Sequence, residues 1–378
     1  MAEEQKHKSI DPASLEMIAK AAQDNCNIVF DRAAKMSPCP IGLEGSCCNM
    51  CSMGPCRVPL AKGKAETTED KMKRRGVCGA TSETIAARNF LRKVAAGTAA
   101  HGDHGRKVTK TFIDIAKNKI KGFEIKDEQK LLAMALELGV EIGERSNNDI
   151  AVDVGEILMK EFGRQEGELL LLKRAPVKRQ EIWRKTGVAP RGIDREVVEA
   201  MHRTHMGVDQ EYENLLHQTA RCALADGWGG SMIATELQDI MFGNPTPAAS
   251  QINLGVLKED HVNLIIHGHE PALAEMLAIV SHDPEMTAYA ISKGARGINL
   301  AGMCCTANEI MMRHGVPIAG NFLQQELAIV TGAVEAMVVD VQCIMQGLTD
   351  VAQCYHTKLI TTDERAHITG STYIRFDD

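Results

Sequence analysis

No apolar run approaches the roughly 18 residues needed to cross a bilayer, so no membrane-spanning helix is expected in these 378 residues. The opening Met1-Ala2-Glu3-Glu4-Gln5-Lys6-His7-Lys8 is polar and lacks the apolar core of a secretory signal. That absence points to a reducing, cytoplasmic setting and against a disulfide framework. Positive charge is not in excess. Lys and Arg number 43 against 50 Asp and Glu, a net charge of −7, which argues against a nucleic-acid binder. Low-complexity tracts, clear repeats and long linkers are missing as well. Aromatic residues are scarce at 4%, while Met (19) and Gly (32) are plentiful. What remains is a soluble chain long enough for two or three domains, each with its own core.

Against these absences stands a local excess of cysteine. Six of 12 cysteines fall between Cys39 and Cys78, where an even spread would put about one or two. Disulfides would need an oxidising compartment, and adjacent Cys47 and Cys48 make an awkward scaffold. Zinc sites usually pair two short C-x2-4-C elements, and only Cys48-x2-Cys51 has that form. Cys48-x2-Cys51-x4-Cys56 with a distant Cys78 gives three clustered thiolates and one remote, the logic of iron–sulfur ligation, and Gly54-Pro55 supplies a turn. The iron–sulfur reading is favoured. Side chains of neighbours diverge, so Cys47 does not serve the cluster that Cys48 serves. Two thiolates cannot hold a four-cysteine cluster, but two copies of the chain about a twofold axis supply four from Cys39 and Cys47. A homodimer with a shared cluster is expected. The competing reading makes Cys39 and Cys47 small buried apolar residues.

Apolar spacing predicts helices over 11–36, with Cys26 on the core stripe, and over 82–120. His101 and His104 continue the second segment, followed at the same step by Lys107 and Lys110. Imidazoles titrate near neutral pH and can pass protons stepwise, whereas an ammonium is a poor relay. Residues 126–242 read as mainly helical. Glu199-x2-His202, His205 and His217 read as solvated helix faces, Cys222 as core, and Gly227-Trp228-Gly229-Gly230 follows no strand and is no dinucleotide fingerprint. Asp226 beside it could act as a supporting group. Gly243-Asn244-Pro245-Thr246-Pro247 marks a domain boundary. Beyond it, strands Val262–Ile266, Gly297–Leu300, Ala336–Val341 and Leu359–Thr362 alternate with helices, with a shorter strand at Val316–Ala319. Such alternation predicts a doubly wound, parallel, Rossmann-like sheet. The fold class expected is therefore α + α/β. A helical domain, 1–243, carries the cysteine loop 39–78, and an α/β domain spans 244–378.

Three turns in the second domain carry metal-binding side chains just past strand ends: His267-Gly268-His269, Cys304-Cys305 and Gln342-Cys343. The carboxyl edge of an open parallel sheet is where ligands bind, and soft thiolates with an imidazole suit iron, nickel, copper or zinc. Cys354 reads as a core residue inside a helix.

The run Cys39-x7-Cys47-Cys48-x2-Cys51-x4-Cys56…Cys78 resembles the N-terminus of the catalytic subunit of anaerobic nickel–iron carbon monoxide dehydrogenases. The resemblance continues to the last residue of the chain. It implies that Cys48, Cys51, Cys56 and Cys78 bind one [4Fe-4S] cluster, and that Cys39 and Cys47 share another across a dimer. It implies that His269, Cys305 and Cys343 bind part of a nickel–iron–sulfur active cluster, with His267 and Cys304 as the alternatives. His101 and His104 match the first two rungs of the family's proton-conducting histidine ladder, and lysine stands at the later two. The implied activity is oxidation of CO with water to CO2, with two electrons leaving through the clusters to a ferredoxin-like acceptor. Acetyl-CoA synthase and a nickel-insertion factor are the further partners the resemblance allows.

Members of that family continue into a further domain with three more cysteine ligands and a lysine. The chain is therefore expected to be C-terminally truncated and its active cluster only partly ligated. Two rival classes stand beside this reading. One is a catalytically silent electron-transfer or assembly relative. The other is a hybrid-cluster oxidoreductase acting on hydroxylamine, against which the paired Cys47-Cys48 and the histidine ladder speak. A structural zinc protein is more distant still.

Overall fold

The computed structural model describes residues 8–59, 67, 69 and 74–376. They fall into two compact units, one of Ser37–Met241 and one joining the residues up to Met36 with Phe242–Asp378.

The first unit is built along a 35-residue helix, Ser82–Ala116. Thr81 starts it, its hydroxyl accepting from the Thr84 N–H at 3.3 Å. Ala87, Leu91 and Ala95 recur every four residues and pack with Ala200, Leu215 and Cys222 from helices Ile193–Arg203 and Tyr212–Ala225. Helix Asn147–Gly163 packs along the same long helix. Cys222 is core as expected, and His205 and His217 are exposed. Gly227–Gly230 lies in a π turn, Asp226–Gly230, and not in a phosphate loop. Glu199 departs from the solvated face expected of it. Arg191, Arg195 and Arg203 reach its carboxylate at 2.5, 2.9 and 2.6 Å. Burial alone would raise this carboxyl, but the guanidiniums win and hold it at about 2. A two-stranded antiparallel ribbon, β1 (Cys47–Cys48) and β2 (Cys56–Arg57), carries part of the cysteine loop.

The second unit holds a six-stranded parallel sheet: β3 (Val262–His267), β4 (Ile298–Met303), β5 (Ile318–Gly320), β6 (Val334–Val339), β7 (Lys358–Thr361) and β8 (Thr372–Tyr373). Their order is β5-β4-β3-β6-β7-β8. The chain thus winds outward from β3 to β5, returns to β6 and winds outward the other way. The strand order reverses between β3 and β6, the place where doubly wound sheets open a crevice at their carboxyl ends. Both faces are covered, as parallel sheets require. Ile265 packs with Ala301 and Met337 on one face, and Ile266 with Leu300 on the other. The expected α + α/β class holds. The two-residue β8 was not expected, being too short for any periodicity to show.

The sheet unit takes up the chain again at Phe242, and the residues up to Met36 join it and not the helical unit, which departs from the single helical domain expected over 1–243. Ile18, Ala21, Cys26 and Ile28 lie in one core with Ile265, Met337 and Val339. The fully buried Glu326 carboxylate accepts from the Val29 N–H and from Arg32, which ties this segment down. The single helix expected over 11–36 is two, Pro12–Gln23 and Val29–Lys35, parted where Asn25 turns left-handed at φ 55°. Cys26 is core, as expected, but sits in that break. Cys354 corrects a second expectation: it lies in an exposed turn after the short helix Leu348–Ala352. No helix among the described residues is long and apolar enough to cross a membrane.

Candidate metal centres

In the helical unit, Cys48 and Cys56 sit opposite each other across the β1–β2 ribbon. Residues alternate faces along a strand, so Cys48 turns inward, 7% exposed, while Cys47 turns to the other side. Cys48 packs with Val58, Ala80 and Ile85. Cys48, Cys51, Cys56 and Cys78 line one narrow pocket, and Cys47 is not among its lining residues. The neighbour argument that separated Cys47 from Cys48 is thus visible in the ribbon.

Four features make this pocket fit an iron–sulfur group. Its donors are all thiols. The Val77 N–H donates to the Cys56 sulfur at 3.5 Å. Gly54 leaves room where a Cβ would stand 2.9 Å from the Cys48 carbonyl oxygen. Burial would raise the Cys78 thiol, but the Ala80 N–H and the Arg88 guanidinium outweigh it and hold the thiol below its ordinary value. Asn89, on the long helix, pins the loop by donating to the Gly45 and Cys47 carbonyls at 2.7 and 2.9 Å.

Cys39 caps the short helix Pro40–Leu43. The N–H groups of Gly42 and Ile41, with Arg57, hold its thiol below the ordinary range. Arg57 stands opposite Cys47 in the ribbon, hence on its face, and donates to the Cys39 sulfur at 3.6 Å. Cys39 is exposed and Cys47 half-buried. Neither is the buried apolar residue of the competing reading.

In the sheet unit the three turns past β3, β4 and β6 are laced together. The Thr306 N–H donates to the Gly268 carbonyl at 3.0 Å, and the Asp340 N–H to the His267 carbonyl at 3.2 Å. Asp340 Oδ1 accepts from the His269 N–H at 2.5 Å and from the Val341 N–H. Gly268 has φ +143°, and a Cβ there would lie 1.9 Å from Asp340 Oδ1, so no other residue fits. Cys304, Gln342 and Cys343 all hold left-handed backbones, at φ 62°, 69° and 58°. Each such non-glycine conformation costs on the order of 1–3 kcal/mol and clusters at functional sites. Fully buried Gln325 braces the Cys343 turn. Its Nε2 donates to the Cys343 and Phe322 carbonyls, and its Oε1 accepts from the Met345 N–H at 2.9 Å and from His267 Nε2 at 3.1 Å.

His267 is fully buried with its Nε2 committed to Gln325, and burial lowers its pKa. The Nδ1 atoms of both His267 and His269 are buried without a hydrogen-bond partner, so the two rings are not told apart by their hydrogen bonds. Nor are the cysteines. Cys304, Cys305 and Cys343 all line one open cavity of about 460 Å³, along with Asn308, Phe322 and Gly320. Burial, then the neighbouring Cys343 and Cys305 thiols, push Cys304 up to about 12, and burial with Cys343 raises Cys305. Crowded thiols that suppress one another's ionisation fit a cationic group, whose charge would favour the thiolates. His269, 5% exposed, is not among that cavity's lining residues. Among the described residues no three His, Cys, Asp or Glu side chains converge on a single ion. The donors surround a space and do not grip a point.

His101 and His104 lie one step apart on the long helix. His101 Nδ1 is 2.8 Å from Asp226 Oδ1, which also accepts from Ser231 at 2.6 Å. The Asp226 bond raises the His101 pKa and fixes the Nδ1–H tautomer. Buried His104 has its Nε2 3.4 Å from Gln238 Nε2. Asp226, weighed only as a supporting group in the sequence, is a hydrogen-bond partner of His101.

Residues 46–378 match the model of the Prismane/CO dehydrogenase family. The chain belongs to that family. It is 51% identical over 373 residues to carbon monoxide dehydrogenase 1 of Methanosarcina acetivorans, covering 98% of this chain and 58% of that protein. It is 42% identical to the beta subunit of carbon monoxide dehydrogenase/acetyl-CoA synthase of Moorella thermoacetica, covering 98% of this chain and 54% of the relative. The nickel-free structure of carbon monoxide dehydrogenase from Thermococcus sp. AM4 superposes with a TM-score of 0.90 at 47% identity, over 98% of this chain and 59% of that one. The chain therefore spans somewhat more than half the length of the carbon monoxide dehydrogenases it matches.

Proposed function

We propose that the chain acts in a carbon monoxide dehydrogenase, which oxidises CO with water to CO2 and releases two electrons and two protons. The observation that carries this reading is the meeting of Cys304, Cys305 and Cys343, from the turns past β4 and β6, in one cavity that β5 also lines. His269, Cys305 and Cys343 would hold a nickel–iron–sulfur cluster in part, with Cys304 as the alternative thiol. When bound, that cluster supplies CO binding, water activation and storage of two electrons. The protein's share is placement. Asp340 fixes the His269 turn against the Cys343 turn, and Gln325 fixes Cys343 itself. Phe322 and the β5 end wall the cavity.

Cys48, Cys51, Cys56 and Cys78 would hold a [4Fe-4S] cluster, and Cys39 and Cys47 would share another with a second copy of the chain. A ferredoxin-like protein is the proposed acceptor. Acetyl-CoA synthase and a nickel-insertion factor are proposed partners, and the cytoplasm the proposed setting. His101, poised by Asp226, would take up a proton and pass it to His104, and Lys107 and Lys110 do not extend the relay.

Anaerobically purified, natively expressed protein is expected to reduce a viologen dye in the presence of CO. His269→Ala, Cys305→Ala and Cys343→Ala should each abolish that reduction, and Cys354→Ala should not. Activity that survives the Cys343 substitution would contradict the assignment.

A further inference from the structure

The pocket of Cys48, Cys51, Cys56 and Cys78 has one charged wall. Its other described lining residues are thiol, apolar or glycine, and the exception is Arg88. Arg88 is 1% exposed and ranks among the largest fully buried side chains. Its Nη2 donates only to neutral acceptors, Gln210 Oε1 at 2.9 Å and the Asp209 carbonyl at 3.5 Å. Its Nε has no hydrogen-bond partner, and among the described residues it forms no ion pair. Guanidinium cannot shed its proton to escape burial. A buried cation without a counter-charge is strongly unfavourable, so an anion is missing from this wall. The four thiolates, with the group they would hold, supply one.

We propose that Arg88 is the built-in counter-ion of the cluster held by Cys48, Cys51, Cys56 and Cys78, and that it raises that cluster's reduction potential. This rests on the iron–sulfur reading of the pocket. Taking up one electron makes the site one unit more negative, and a fixed cation beside it favours the reduced form. Charge and hydrogen bonding near the sulfurs are the protein's ordinary levers on cluster potential. Gln210 holds the guanidinium through Nη2, which leaves Nε uncommitted.

The test is a potentiometric titration of the natively expressed protein without oxygen, followed by electron paramagnetic resonance, for the wild type, Arg88→Gln and Arg88→Lys. In Arg88→Gln the reduced-to-oxidised ratio at fixed potential should fall about tenfold, a shift of about 59 mV to more negative potential. Arg88→Lys, which keeps the charge, should stay within about threefold of wild type. An assembled cluster in Arg88→Gln at unchanged potential would overturn the inference. If Arg88→Gln fails to assemble a cluster, Arg88→Lys decides. Assembly at the wild-type potential supports the counter-ion role. Loss of the cluster in both variants, or a lysine variant at lowered potential, overturns it. Wild-type protein without iron or a cluster signal would fail at the first step, showing that the iron–sulfur reading itself is at fault.

Discussion

Asp340 ties two of the three rim turns with a single carboxylate oxygen, accepting from the N–H groups of His269 and Val341. Asp340→Leu strands two buried donors at about 1–3 kcal/mol each, so thermal melting should drop by several degrees. Asp340→Asn keeps an acceptor and should lose much less. Gly268→Ala should be at least as damaging as the leucine variant, since its new Cβ has no space beside Asp340. His101 gives a pH signature. Its pKa is raised in the fold by Asp226, so the stability it contributes is fully present below its unfolded value, near 6.5. That contribution is lost as pH rises through the folded value. The melting-temperature difference between wild type and Asp226→Asn should thus be larger at pH 6 than at pH 8.5. An unchanged difference would contradict the pairing. The thiols that line both cavities were legible in the sequence as close-spaced cysteines and strand-end turns. Asp340, Gln325 and Arg88 were not, because each acts on backbone groups or a cavity that only the tertiary fold brings near.

At the scale of elements, the sheet decides where the rim side chains arrive. Strands β3, β4, β6 and β7 were legible as short apolar runs because both faces of a parallel sheet are buried, and the turn residues then fell at their ends automatically. The N-terminal helices were misassigned to the helical domain for an equally physical reason. An amphipathic stripe such as Ile18 and Ala21 records that a face is buried but not against what. Their attachment is testable through Arg32, whose removal would leave the fully buried Glu326 carboxylate uncompensated. Arg32→Ala should destabilise the sheet unit by about 3 kcal/mol, read as a lower denaturation midpoint. Ile265→Ala, in the core those helices share, should cost about 2–5 kcal/mol. If Arg32→Ala melts like wild type, the N-terminal segment does not depend on that pair.

At the scale of the molecule, family membership is shown by the match over residues 46–378 and by relatives at 51% and 42% identity. The proposed activity follows from the rim of the sheet, and the proposed electron path from the cysteine ribbon. The cluster proposed to be shared between two copies would make assembly state depend on Cys39 and Cys47. Cys47→Ser should remove about two irons per chain, half of one shared four-iron cluster, and shift the protein toward monomer in sedimentation. The cysteine ribbon and the sheet rim are proposed to be two separate metal sites. Nickel and iron content decides this, measured on the natively expressed protein beside its Cys51→Ala and Cys343→Ala variants, all prepared without oxygen. Cys343→Ala is expected to lose nickel while keeping the iron of the ribbon, and Cys51→Ala to lose iron while keeping nickel. Metal content indifferent to both substitutions, or lost as one block in each, would contradict it.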